Sequence, residues 1–385
     1  MIYLDNAATS WPKPESVYET LNTFLRTAGA NPGRAGHRMA VEAADVIGRT
    51  RQSLARLMNA ESGERVVFAS NATDALNLAI RGLLRPGDHA ITTSMEHNSV
   101  IRPLRLHERD GGELTIVRAN PLGSVDPGAI ESAIRPDTKL IVVTHASNVT
   151  GAVMPIAEIA QVAREYDLLL LVDAAQTIGA RDIDVQALEV DLLAFPGHKG
   201  LLGPTGTGGL YIGPRVDLER FEPMRSGGTG IHSEDDAQPL ALPWRYEAGT
   251  VNTVGIAALG AGVAYVLERG AGEIEAYEAS LMERLKSGLR STAGVRLFET
   301  EPNVAPAAVT SFEIQGWTPG DAGAVLDSSF DIACRVGLHC APPAIETIGA
   351  SERGTIRFSP GPFTTSDEID QALAAVAELA ESPMS

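Results

Sequence analysis

Between residues 66 and 212 the chain alternates short β-rich runs with helical patterns, and this constrains its fold more than any other feature. The runs lie at 66–69, 90–93, 114–117, 140–144, 168–172, 192–194 and 210–212. Several are continuously apolar, as strands buried on both faces are. Helical patterns such as 74–84 and 156–165 separate them. Strand–helix–strand order of this kind closes right-handed crossovers. It implies an α/β fold: a mostly parallel seven-stranded sheet with helices on both faces.

A chain of 385 residues exceeds what one hydrophobic core supports, so a second unit is expected. A helix rich in small residues is read at 254–267, and 268–385 reads as helix, strand, strand, helix, a smaller α+β domain. Its last segment, 366–381, keeps Ile369, Leu373, Val376 and Leu379 on one face, with Ser366 as N-cap. The expected division is a large domain at 15–260 and a small one formed by 1–14 and 261–385. The stretch 224–247 has no periodicity and reads as a long functional loop or a protruding hairpin. Its glycines and Asp235-Asp236 suggest a mobile cover.

Charge and composition exclude several classes. Lys and Arg total 31 against 49 for Asp and Glu, a net charge of −18, which repels nucleic acid and anionic membranes. No run approaches the ~20 apolar residues of a membrane span. The first residues lack a basic start followed by an apolar block, so no secretory signal is expected. The two cysteines, Cys334 and Cys340, form neither a disulfide framework nor a CxxC pair, and no metal site is expected. These features together predict a soluble cytoplasmic protein.

In open parallel sheets ligands bind beyond the carboxyl ends of the strands. Ser70–Asp74 follows the first run and opens a helix, where exposed N–H groups suit a phosphate. Taken alone, a plain cap by Asn71 or Thr73 accounts for it better. His97 follows the second run, to stack on a planar ring or to transfer a proton, though a lone histidine there is more often structural. Asn148 follows the fourth, either to donate to a ring hydroxyl or to close an Asx-turn. Asp173 ends the very apolar 168–172 run, with Gln176 after it. A carboxylate there must be paired or solvated, and a protonated pyridine nitrogen would satisfy it. Lys199, between His198 and Gly200, carries the amine that forms Schiff bases with carbonyls. The glycines of 203–209 precede a strand instead of joining strand to helix, which excludes a dinucleotide fingerprint, and no GxxxxGK[ST] occurs.

Ten motifs carry a resemblance along nearly the whole chain: YLDNAATS, NPGRAGHR, SNATDALN, MEHNS, SNVTG, VDAAQTIG, GHKGLLGPTGTGGLY, EAGTVN, RVGLHCAPP and TIRFSPG. As an ordered set they resemble the class V aminotransferase family of pyridoxal phosphate (PLP) enzymes, and within it the cysteine desulfurase and selenocysteine lyase branch. The resemblance implies a PLP-dependent transferase of fold type I and a homodimer with active sites at the subunit interface. It makes Lys199 the Schiff-base lysine, Asp173 the partner of the pyridine nitrogen and His97 the ring-stacking residue. Gln176 and Asn148 would sit near the phenolic oxygen. Ala72, Thr73, His198, and Thr250 of the neighbouring subunit would hold the phosphate. Arg357 would clamp the substrate carboxylate, with Asn148 and Arg335 also on the substrate side.

Cys340 falls where desulfurases keep the sulfur-accepting nucleophile, in a segment similar to the short RxGxHCAxP loop of group II, SUF-type enzymes. The implied reaction turns L-cysteine into L-alanine and leaves a persulfide on Cys340, for transfer to an acceptor protein in iron–sulfur or thio-cofactor assembly. A reactive thiolate needs electropositive surroundings, for which Arg335 and His339 are the candidates. Cys334 reads as a buried strand end. Two positions depart from the family pattern: Pro196, where a hydroxyl residue is frequent, and Leu338, where a histidine is. Alternatives are a selenocysteine or cystine lyase, a class V transaminase that does not use Cys340, and a non-catalytic PLP-binding protein.

Overall fold

All seven β-rich runs become strands of one sheet in the computed structural model, which describes residues 1–32, 36–231 and 234–382. Gly33, Arg34 and Ala35 of the NPGRAGHR motif, and His232 and Ser233 of the 224–247 stretch, lie outside the described residues. The chain starts with β1 (Ile2–Tyr3), α1 (Glu15–Thr27) and α2 (Arg38–Leu57). The sheet is then built from β2 (Val66–Ala69), β3 (His89–Thr93), β4 (Glu113–Val117), β5 (Thr138–Thr144), β6 (Leu169–Asp173), β7 (Leu192–Pro196) and β8 (Gly208–Ile212). Their order across the sheet is β2-β8-β7-β6-β5-β3-β4. Strands β3 to β7 pair in parallel, while β8 runs antiparallel to both β2 and β7.

Between the strands come α3 (Ala72–Leu83), α4 (Asn98–Arg109), α5 (Pro127–Ser132) and α6 (Ile156–Glu165), and after them α7 (Thr253–Arg269). The continuous apolar runs are explained by two cores, one on each face of the sheet. Leu140, Val142 and Leu171 pack with Leu76 and Ile80 of α3 and Leu104 of α4. Their neighbours Ile141, Val143, Leu170 and Val172 face the other way, against Leu54 of α2, Ile159 of α6 and Val263 of α7. A strand's side chains alternate faces, so burial on both sides requires apolar residues at every position.

The C-terminal part holds more elements than its periodicity suggests. It contains α8 (Ala271–Ser291), β9 (Val295–Leu297), β10 (Thr310–Ile314), α9 (Pro319–Phe330), β11 (Ile332–Ala333), β12 (Arg335–Gly337), α10 (Pro342–Thr347), β13 (Thr355–Phe358) and α11 (Ser366–Glu381). Four of its strands form an antiparallel sheet in the order β12-β13-β10-β9. Strands this short carry too few residues to show a period. Phe312, Ile356 and Phe358 of that sheet pack on Leu285 of α8, Leu326 of α9 and Val376 of α11. The cap of α11 is Thr365, not Ser366: its hydroxyl accepts from Glu368 N while the Glu368 carboxylate accepts from Thr365 N, a closed capping box.

β1 pairs in parallel with β11, tying the first residues to the C-terminal part. The expected boundary at 260/261 falls inside α7, which runs unbroken to Arg269 before the chain bends by 80° into α8. The described residues of the 224–247 stretch form no strand and follow an irregular path. Its end is anchored where Arg245 Nε and Tyr246 Oη both donate to the Phe221 carbonyl. Among the described residues no single helix is long and apolar enough to cross a membrane.

Candidate active site

Parallel pairing brings the carboxyl ends of β5, β6 and β7 to one edge of the sheet, with Thr144 beside Asp173 and Asp173 beside Ala194. A cavity of about 200 Å³ opens there. Ala72, Thr73, His97, Asn148, Asp173, Gln176, His198, Lys199, Arg335 and Arg357 all line it. Cys340 and Thr250 are not among the lining residues. The cap reading of 70–74 holds for Asn71, and part of the same stretch also borders the cavity. Asn71 caps α3 by accepting from Asp74 N at 2.9 Å, while Asn71, Ala72 and Thr73 face the cavity.

Asp173 is 3% exposed and accepts from Ala175 N at 2.9 Å through one oxygen. Its burial raises its pKa, and the positive charge of Lys199 acts against that rise. Lys199 is pushed down to about 8, first by burial, with Asp173 opposing and Arg357 and Arg335 adding to it. A lysine in this range supplies a free amine close to neutral pH. Its backbone is gripped by the N-terminal segment: Ser10 Oγ donates to the Lys199 carbonyl at 2.9 Å, and Lys13 Nζ to that of His198 at 2.9 Å. His97 caps α4, its Nδ1 accepting from Ser99 N, and burial, then Lys199, Arg335 and Arg357, push it down to about 4. The imidazole is therefore neutral.

Arg357 is 2% exposed. Its Nη1 donates to the Asn148 carbonyl at 2.9 Å and its Nη2 to Asp5 Oδ1 at 2.7 Å, while Nε is buried without a partner. This is a rigidly held guanidinium with donor capacity left over for an anion. Pro196 lines the cavity, and hydroxyls are supplied there by Thr73, Ser99 and Thr144.

The family model for class-V aminotransferases matches residues 2–372. The chain belongs to the class V aminotransferase family. A probable cysteine desulfurase of Methanothermobacter thermautotrophicus is 37% identical over 383 residues, covering 98% of this chain and 94% of that protein. Another, of Xylella fastidiosa, is 38% identical and covers 98% and 91%. The solved cysteine desulfurase of Thermococcus onnurineus NA1 superposes with a TM-score of 0.92 at 34% identity, covering 99% of this chain and 94% of that one. The seven-stranded sheet described above is thus the fold of cysteine desulfurase structures.

In this class V protein Cys340 stands at the rim of the site, exposed and with a positive φ of 57°. Its loop is fixed from both sides: Asn148 Nδ2 donates to the His339 carbonyl at 2.7 Å, and Asn98 N to the Cys340 carbonyl at 2.7 Å. The first bond replaces the Asx-turn reading of Asn148. Arg335 Nη2 lies 3.7 Å from Cys340 Sγ. Of the two expected candidates, Arg335 is the electropositive one, and the buried Arg357 also acts on Cys340 electrostatically. His339 bonds to Thr355 Oγ1 through Nε2, and burial, then Arg357 and Arg335, push it down to about 3, so it carries no charge. Cys334 sits half-buried between β11 and β12, and burial pushes it up to about 12.

Thr250 faces a separate cavity of about 510 Å³ with Arg51, Trp244 and Glu247. The buried Arg51–Glu247 pair fixes that segment, and Glu247 also accepts from Phe68 N at 2.6 Å. Several site residues had no individual role in the sequence reading. Asp5, Ala7 and Ala8 belong to the YLDNAATS motif, and only the tertiary structure brings them to Arg357 and the cavity. Glu96 is fully buried, accepts from Thr93 Oγ1 and Thr144 N, and burial pushes it up to about 8. The signal for it was a carboxylate beside His97 at a strand end.

Proposed function

We propose that this protein is a pyridoxal 5'-phosphate-dependent cysteine desulfurase that converts L-cysteine to L-alanine and passes the sulfur to Cys340 as a persulfide. The observation that carries the reading is one cavity holding Lys199, Asp173 and Arg357 with a reactive-type cysteine at its rim, bonded to the cavity's own Arg335. The donor set fits the cofactor. Only one oxygen of Asp173 is hydrogen-bonded by the protein, His198 Nδ1 is buried without a partner, and α3 presents its N-terminus to the cavity. When bound, the cofactor supplies an aldehyde for amines and an electron sink for charge left at the substrate Cα.

The protein's own groups do the rest. Ala72, Thr73 and His198, with Thr250 of a neighbouring subunit, hold the phosphate. His97 covers the ring face, Asp173 keeps the ring nitrogen protonated, and Gln176 and Asn148 meet the ring oxygen. Arg357 holds the substrate carboxylate, with Asn148 and Arg335 beside it. Lys199 takes the proton from Cα. Cys340 thiolate then attacks the substrate sulfur: an S–S bond forms, the C–S bond breaks with its electron pair left to Cβ, the proton released when Cys340 ionised ends on Cβ, and Lys199 returns a proton to Cα to complete alanine.

The protein works as a cytoplasmic homodimer, delivering sulfur to an acceptor protein for iron–sulfur or thio-cofactor assembly. Its large domain is taken as 15–260 and its small domain as 1–14 with 261–385. The test incubates the loaded wild type and Cys340→Ala with L-cysteine and a reductant, and measures alanine, pyruvate and sulfide. Equal alanine and sulfide, both lost in the variant, are expected. Pyruvate as product, or a variant as active as wild type, overturns the assignment in favour of a lyase or transaminase.

A further inference from the structure

Two small cavities continue behind the catalytic one, away from Cys340. The first, of about 50 Å³, shares Ala7, Ala175, Gln176 and Lys199 with the catalytic cavity and is walled further back by Glu278 of α8. The second, of about 10 Å³, shares Gln176, Ala180, Ala308 and Glu278 with the first and ends at Arg181 and Glu275. Glu278 is 7% exposed, and its carboxyl makes no hydrogen bond or ion pair with any described residue.

A buried acid left without partners destabilises a fold, and an apolar residue of similar size would serve packing better. The charged groups around it do not neutralise it. Arg181 is committed to Glu275 at 2.5 Å and to the Ala305 carbonyl. Arg269, at the end of α7, pulls Glu278 toward ionisation, but burial and then Glu275 outweigh it and push the carboxyl up to about 8. Lys199, across the first cavity, falls to about the same value. Two groups of matched proton affinity therefore border one small cavity, which has room for bridging water and, within a largely apolar lining, offers Ser10, Gln176 and Asn6 as partners.

We propose that Glu278 is the outer proton carrier of a water-bridged relay that serves Lys199 from behind. The inference rests on Lys199 being the proton acceptor of the proposed reaction. One proton leaves Lys199 Nζ for a bridging water, one passes from that water to the Glu278 carboxylate, and the reverse transfer restores both. No electron moves. Glu278 does not touch substrate; it acts through Lys199.

The test follows solvent deuterium entering Cα of L-alanine, a ligand without sulfur, on the loaded enzyme in heavy water by NMR. Glu278→Gln should slow exchange about tenfold or more at an unchanged KM for alanine, and Glu278→Asp should recover most of it. A second readout needs no cofactor: the infrared band of a buried protonated carboxylic acid at neutral pH, lost in Glu278→Gln. Ala308→Leu, which fills the cavity while keeping both groups, replaces Glu278→Gln if that variant does not fold, and should slow exchange likewise. Exchange as fast as wild type, or no such band attributable to Glu278, overturns the relay. A wild type that exchanges nothing overturns the reading of Lys199 itself.

Discussion

Arg335 and Arg357 stand directly opposite each other on the antiparallel strands β12 and β13, and both line the catalytic cavity. Like charges at facing positions repel across a sheet. Here Asp5 Oδ1 holds Arg357 at 2.7 Å, and Arg335 reaches outward to Cys340 Sγ. The pair makes one wall of the cavity a preformed anion site. One arginine is fixed for a carboxylate and the other is turned to a sulfur.

Arg357→Lys removes the planar fork while keeping the charge. With Nη1 and Nη2 already engaged, the arginine presents its remaining donors in a fixed plane, which an ammonium cannot copy. The expected loss is about 2 kcal/mol of substrate binding, a ~30-fold rise in KM for L-cysteine with a smaller change in kcat. Steady-state kinetics decides it, and an unchanged KM counts against Arg357 as the carboxylate clamp.

Asp5→Asn leaves the buried Arg357 guanidinium without its counter-charge. Breaking one side of a buried pair costs about 3 kcal/mol or more. A fall in the urea midpoint of the cofactor-free protein checks this, and an equal midpoint would show that another group compensates.

The two cysteines separate by reactivity. Cys340, exposed and beside Arg335, should alkylate readily with iodoacetamide at neutral pH, whereas Cys334, pushed up to about 12 by burial, should not. Arg335→Ala removes a charge–sulfur interaction of about 1 kcal/mol, slowing Cys340 labelling ~5-fold. Mass spectrometry of labelled peptides reads both outcomes, and preferential labelling of Cys334 would contradict them.

Stability of the cofactor-free protein should peak near pH 6.5. His97, His145 and His198 are pushed down to about 4, and His339 to about 3, by burial, so the unfolded chain binds more protons than the folded one between those values and 6.5. Stability therefore rises with pH across that window. Glu96 and Glu278, pushed up to about 8 from an ordinary 4.5, act with the opposite sign between 4.5 and 8. Four imidazoles outweigh two carboxyls below 6.5, and above it the carboxyls prevail. Urea midpoints across pH test the sign change, and Glu278→Gln should flatten the decline toward pH 8. A midpoint still rising from 6.5 to 8 would refute this balance.

Gly354→Ala should break the turn that keeps the two arginines in register. Gly354 has φ of 84°, and an added Cβ would lie 2.1 Å from backbone atoms of Gly337, at the end of β12. A destabilisation of about 2–4 kcal/mol is expected, read from thermal unfolding.

The sequence alone determined the strands of the central sheet, because burial on both faces writes itself as unbroken apolar runs. It also determined the helices α6 and α11, whose apolar faces repeat every turn. Lys199 and Asp173 were legible as cavity positions too, since such residues directly after buried strands have few structural reasons to be there, whereas His97 left a structural reading open and does cap α4. Tertiary structure alone decided the two-, three- and four-residue strands of the C-terminal part and the partners of Arg357. Asp5 lies 352 positions from that arginine, and no local pattern encodes a contact over such a distance. It also reversed the charge expected of His339: a residue type states what can titrate, but only burial and neighbouring cations set where it does.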